Sequence, residues 1–143
     1  MTKLRRTIIA AAAVAAPLSM TAVPAASATD SAKTAIDCTT GYEHVTRWNI
    51  KEGETQIEPN GNYFLPLYDG TATACLDGPD GTTLSLHVQQ HFGTEGWKTV
   101  GSAPQAGADK QLAHNVAGYT WYRLAVTAVG GGGTYTVGLN FPE

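Results

Sequence analysis

Basic residues are scarce in this chain and never clustered. There are 9 Lys and Arg against 12 Asp and Glu in 143 residues, a net charge of -3. Phosphate backbones and anionic membrane surfaces are gripped by grouped Lys and Arg, so nucleic acid is excluded as a partner class. The mild acidity reads as solubility. Cysteine is nearly missing as well: Cys38 and Cys75 are the only two, without the CxxC spacing of structural zinc. His44, His87, His91 and His114 form no HExxH motif, and Ser31, Ser85 and Ser102 lie in no G-x-S-x-G elbow. The D-x-D-x-D-G calcium loop is also absent. These gaps remove the zinc peptidases, the elbow-type serine hydrolases and the EF-hands.

Long apolar runs are confined to the N-terminus. Lys3, Arg5 and Arg6 precede an apolar stretch from Ile8 to Met20, and Ala26-Ser27-Ala28 supplies a small-x-small cleavage pattern. Pro17 interrupts the stretch, which is shorter than the ~20 residues of a spanning helix. Residues 1–28 are therefore expected to be a signal peptide cut after Ala28. Thr7-Ile8-Ile9, after Arg5-Arg6, match a twin-arginine signal poorly, so the ordinary secretory route is expected. The protein is expected to be secreted and extracellular, with no membrane attachment after cleavage. Loss of the three basic residues leaves 6 against 12 acids, a net charge of -6.

Outside the cell no reducing pool protects thiols, so Cys38 and Cys75 are expected to pair. A link closing a loop of this length stabilises by roughly 4 kcal/mol in the chain-entropy picture. It would pin the N-terminal segment to the body of the fold.

No segment long enough for a helix carries the 3.6-residue period. Residues 29–40 are read as a leader. From residue 41 to 143, Gly and Pro interrupt β-branched and aromatic stretches at the rhythm of an all-β fold. Leu84, Leu86 and Val88 alternate with Ser85, His87 and Gln89 in a strand from Thr83 to His91. Tyr122, Leu124, Val126 and Ala128 form a second apolar stripe. Tyr135, Val137, Leu139 and Phe141 form a third. Gly130 to Gly133 between the last two strands read as a hairpin loop. Weaker strands are expected at Glu43–Ile50, Tyr63–Tyr68, Thr71–Leu76, Trp97–Ser102 and Gln111–Asn115. The expected fold is an eight-stranded antiparallel β-sandwich, jelly-roll-like, in one domain.

Few residues point to chemistry. Asp77, Asp80 and Asp69 are candidate oxygen ligands for calcium, although Asp before Gly is ordinary turn chemistry. The aromatic content points instead to binding. Trp121 and Tyr122 are adjacent on a strand and must face opposite ways. With Tyr122 in an apolar stripe, Trp121 and Arg123 turn to the other face, with Tyr119 close by in sequence. These three are the candidate binding surface, for an extracellular protein or a polysaccharide. Burial of Trp121 beneath the leader tied down through Cys38 is the competing expectation.

From about Trp48 to Pro142 the chain resembles bacterial pre-peptidase C-terminal domains. The resemblance rests on the order of Pro59-Asn60-Gly61-Asn62-Tyr63-Phe64, Ala74-Cys75-Leu76-Asp77-Gly78-Pro79-Asp80-Gly81 and Gly96-Trp97-Lys98-Thr99-Val100. It continues through Ala117-Gly118-Tyr119, Tyr122-Arg123-Leu124-Ala125-Val126 and Gly133-Thr134-Tyr135-Thr136. Such domains are small β-sandwiches attached to secreted peptidases, so the resemblance implies a non-catalytic accessory or binding module without cofactors. Where relatives often read Asp-Phe-Asp-Leu-Tyr-Leu, this chain has Thr83-Leu84-Ser85-Leu86-His87-Val88. Both acids have become hydroxyls, which implies loss of any calcium site they serve. Two other functions stay open. One is an inhibitor or partner of a secreted peptidase presenting the loop Ala103 to Asp109. The other is a small calcium-dependent hydrolase built on Asp77 and Asp80.

Overall fold

A computed structural model describes residues 36–143. The expected signal peptide, residues 1–28, and most of the leader lie outside the described residues. The strands are β1 (His44–Ile50), β2 (Thr55–Glu58), β3 (Gly70–Asp77), β4 (Thr83–His91), β5 (Trp97–Ser102), β6 (Lys110–Val116), β7 (Tyr122–Gly130) and β8 (Gly133–Asn140). They build two four-stranded antiparallel sheets, ordered β1-β8-β3-β6 and β2-β7-β4-β5. Strand 1 thus pairs with 8, 2 with 7, 3 with 6 and 4 with 5. One long hairpin has been rolled over on itself, which is the jelly-roll form of the sandwich.

The alternation read from the sequence decides the core. Leu84, Leu86 and Val88 of β4 meet Tyr122, Leu124, Val126 and Ala128 of β7 in one sheet. Tyr135, Val137 and Leu139 of β8 and Ala72, Ala74 and Leu76 of β3 come from the other. All are buried, and their summed apolar area is the main favourable term.

Two expectations about the strands fail. Tyr63–Tyr68 is not a strand: Phe64 makes one bridge to Tyr122, with Phe64 N–H donating to Tyr122 O (2.7 Å) and Tyr122 N–H to Phe64 O (3.0 Å). Pro66 then has no N–H to extend the ladder. The eighth strand is instead the short polar β2, paired with β7 from Thr55↔Thr127 to Glu58↔Leu124. The glycines from Gly130 to Gly133 do not close a hairpin either, because β7 and β8 belong to different sheets. They carry the chain across the sandwich, with Gly131 at φ 76° and Gly133 at φ 141°. A Cβ on Gly132 would run into the backbone of Ile50 and Lys51. Only β4 and β5, joined through a 3-10 turn at Gly93–Glu95, form a sequential hairpin.

The disulfide Cys38–Cys75 is present, with Cα atoms 5.3 Å apart. Cys75 lies between Ala74 and Leu76, both inward, so it faces outward from β3, yet it is fully buried. The cover is the N-terminal segment itself. A Cβ on Gly138, the cross-strand partner of Cys75, would collide with the Cys38 carbonyl and the Tyr42 ring. Asp37 shapes the approach by accepting from Thr39 N–H (2.8 Å), Thr39 Oγ1 (2.6 Å) and Thr40 N–H (3.1 Å). Those hydrogen bonds hold its carboxyl far below the usual carboxylate range.

Candidate functional site

The segment tied by Cys38 covers the outer face of the β1-β8-β3-β6 sheet, so it does not bury Trp121. Trp121 leads into β7 of the other sheet and is 44% exposed. Inward packing of Tyr122 and Leu124 turns Trp121 and Arg123 outward, as the alternation required.

Around them β4 and β5 add residues that the sequence did not single out. His91 N–H donates to Trp121 O (3.0 Å), and His91 lies opposite Trp97 across β4 and β5. Trp121, His91 and Trp97 therefore form one row running across three strands. The rings are in contact, with His91 centroids 5.5 Å from Trp121 and 5.0 Å from Trp97. Tyr63 leans over the same row, stacked on Trp121 at 5.0 Å and reaching Trp97 at 6.3 Å. It is 45% exposed.

A second row runs alongside, from Arg123 through Gln89 to Thr99. Arg123 Nε donates to Gln89 Oε1 (2.8 Å), and Gln89 Nε2 to Thr99 Oγ1 (3.4 Å). The guanidinium carbon stands 4.4 Å above the Trp97 ring, a cation–π contact that bridges the two rows. Partial burial lowers the Arg123 pKa, but a guanidinium stays charged at any ordinary pH. The Lys98–Glu95 ion pair and the His44–Glu143 contact do not involve Arg123. A half-exposed aromatic strip beside a fixed cation and an amide can hold an apolar face and a polar group at once.

Tyr119 sits apart from these rows in the β6–β7 loop. It is 77% exposed at φ 56°, with its N–H donating to Pro66 O (2.7 Å). Gly118 beside it packs on the backbone of Leu67 and Tyr68, and its N–H donates to Asp69 Oδ1 (2.8 Å).

Asp69 and Asp77 flank opposite ends of β3, on the order of 25 Å apart at strand rise. The three aspartates thus do not share one turn. Among the described residues, the acidic and histidine side chains with ligand atoms within 4.8 Å of one another are Glu43, His44 and Glu143. The loop from Ala103 to Asp109 is fastened to the body. Buried Lys110 donates from Nζ to the carbonyls of Gln105 and Gly107, the latter at 2.9 Å. Burial lowers its pKa, against the pull of Asp109. Ser102 Oγ and His87 Nδ1 meet at 2.7 Å as cross-strand neighbours on the open sheet face. Two clefts among the described residues, one of about 570 Å³ beside Asp69, Thr71, Asn115 and Tyr122 and one of about 310 Å³ beside Tyr42 and Gln111, lie elsewhere.

No family model matches the sequence, and no curated protein is similar to it. Solved structures are. The pre-peptidase C-terminal domain of a collagenase from Bacillus anthracis superposes with a TM-score of 0.54 at 13% identity, over 67% of this chain and 87% of that one. A mitogen derived from Yersinia pseudotuberculosis gives 0.56 at 11% identity, over 69% and 85%. At such identities the likeness is one of fold alone, a β-sandwich similar to that of a pre-peptidase C-terminal domain.

Proposed function

We propose that the protein is a secreted, non-catalytic binding module whose contact surface is the outer face of the β2-β7-β4-β5 sheet. The observation that carries this reading is the cluster of half-exposed Tyr63 and Trp121 with partly buried Trp97, over which Arg123 stands. Residues of these types dominate binding hot spots when they stand together. The likeness in fold to a collagenase-attached domain and to a mitogen supports an accessory role, as does the disulfide, a bond suited to an oxidising compartment. Heteronuclear NMR titration with a panel of extracellular polysaccharides and proteins tests it. The indole N–H signals of Trp97 and Trp121 should shift first. Shifts confined to residues 103–109 would transfer the function to that loop and favour a peptidase inhibitor. Calcium-dependent shifts at Asp77 and Asp80, together with hydrolysis of a panel substrate, would favour the hydrolase.

A further inference from the structure

We propose that the aromatic row and the polar row beside it bind a polysaccharide of uronic acids, with pyranose rings packed against Tyr63 and Trp121 and a ring carboxylate meeting Arg123 over Trp97. This rests on the binding-module reading above and names its ligand class. Three features of the face select it.

The first is shape. Trp121 and Trp97 belong to strands two apart, so their anchor points are roughly 10 Å from each other. That is close to the repeat of two linked pyranoses. The row crosses the strands and runs out at the β5 edge of the sheet.

The second is the chemistry of the surface. The row lies on a sheet face, where the backbone N–H and C=O groups of β7 and β4 are spent within the ladders, and β5 is the edge strand. An extended peptide laid there finds no main-chain partners for its own amides, and unpaired amides are costly. A sugar has no such demand. Its C–H face packs on the rings, and its hydroxyls are met by Gln89, Thr99 and His91.

The third is charge. Arg123 is the fixed cation of the site, held in place by Gln89 and Trp97. Its Nε is committed to Gln89, and the terminal amines carry the remaining donors, in the fork that matches a carboxylate. An exocyclic carboxylate projects sideways from its pyranose ring. A sugar seated on the aromatic row therefore directs that group toward the neighbouring row.

The test uses oligosaccharides of polygalacturonate and polymannuronate, each compared with its own methyl ester. Isothermal titration should show binding of at least one free acid, at least tenfold tighter than its ester and weakening as salt rises. Arg123→Gln should bring the free acid to the affinity of the ester and remove the salt dependence. Trp121→Ala should lose both forms, with the melting temperature of each variant recorded to show that it is folded. Equal affinity for acid and ester, or an unchanged Arg123→Gln, would overturn the proposal. So would no binding of either acid by a protein whose Trp97 and Trp121 signals respond to another ligand. That last result would leave the binding-module reading standing, whereas silence of these signals across the whole panel would remove both.

Discussion

Glu58 is fully buried between the sheets, and three donors converge on it. Thr46 Oγ1 and the Asn60 N–H reach one oxygen, each at 2.8 Å, and the Tyr135 hydroxyl reaches the other at 2.6 Å. Thr46 and Tyr135 come from β1 and β8 and Glu58 from β2, so the cluster rivets one sheet to the other. Burial, and then the hydrogen bond to Glu58, push the Tyr135 phenol well above its usual range. Tyr135→Phe leaves a buried carboxylate short of a donor, and should cost about 1–3 kcal/mol in urea unfolding near neutral pH. The pH dependence has a definite sign. A tyrosine raised in the folded state contributes its full stabilisation below the unfolded pKa of about 10, and loses it as pH climbs toward the folded value. The gap between wild type and Tyr135→Phe should therefore narrow as pH rises past 10, and a gap that widens would refute the assignment. None of this was legible in the sequence, where Glu58 is one acid before a proline. Trp121 and Arg123 were legible, because strand alternation turns them away from Tyr122 and Leu124.

The elements were readable where their side chains alternate strictly. The limits of β4 agree with the pattern, because its two faces differ in polarity, and those of β5 agree although its residues do not alternate. β2 was not readable, since Thr55-Gln56-Ile57-Glu58 has no apolar stripe and owes its pairing to β7. The glycine run between β7 and β8 misled for a related reason: flexible residues serve a sheet-to-sheet crossing as well as a hairpin. The same difficulty hid Trp97 and Tyr63. Trp97 becomes a neighbour of His91 only once the β4–β5 hairpin closes, and Tyr63 arrives from a segment without regular structure. At the element scale the tether of the 103–109 loop is the sharpest test. Leu84 N–H donates to Gly107 O (3.1 Å), and Gln111 N–H to Gln105 Oε1 (3.2 Å). Lys110→Met removes the ammonium that gathers those residues. Amide exchange at Leu84 and Gln111 should quicken by tenfold or more, on the order of 1.4 kcal/mol of lost protection, while the β4–β7 amides keep theirs. Equal acceleration throughout would mean that Lys110 supports the whole sandwich.

At the scale of the molecule, the two outer faces have unlike fates. On the β1-β8-β3-β6 sheet, Gly138 and Cys75 leave a shallow bed for the segment from Cys38 to Tyr42. On the opposite sheet, large rings stand out half-exposed with nothing in the described chain laid over them. The disulfide thus serves stability on one side while the candidate contact surface lies on the other, with the core between. This separation makes a prediction that neither face alone would make. Reducing Cys38–Cys75 releases a loop whose ends are 37 residues apart, worth roughly 4 kcal/mol in the chain-entropy picture. In a domain of this size the melting temperature should fall by on the order of 15 °C. Yet at a temperature where the reduced protein is still folded, the Trp97 and Trp121 signals should keep their positions, and their response to ligand should be unchanged. Loss of that response before unfolding would show that the tethered segment acts through the core on the far face, and the two sides could no longer be treated as independent.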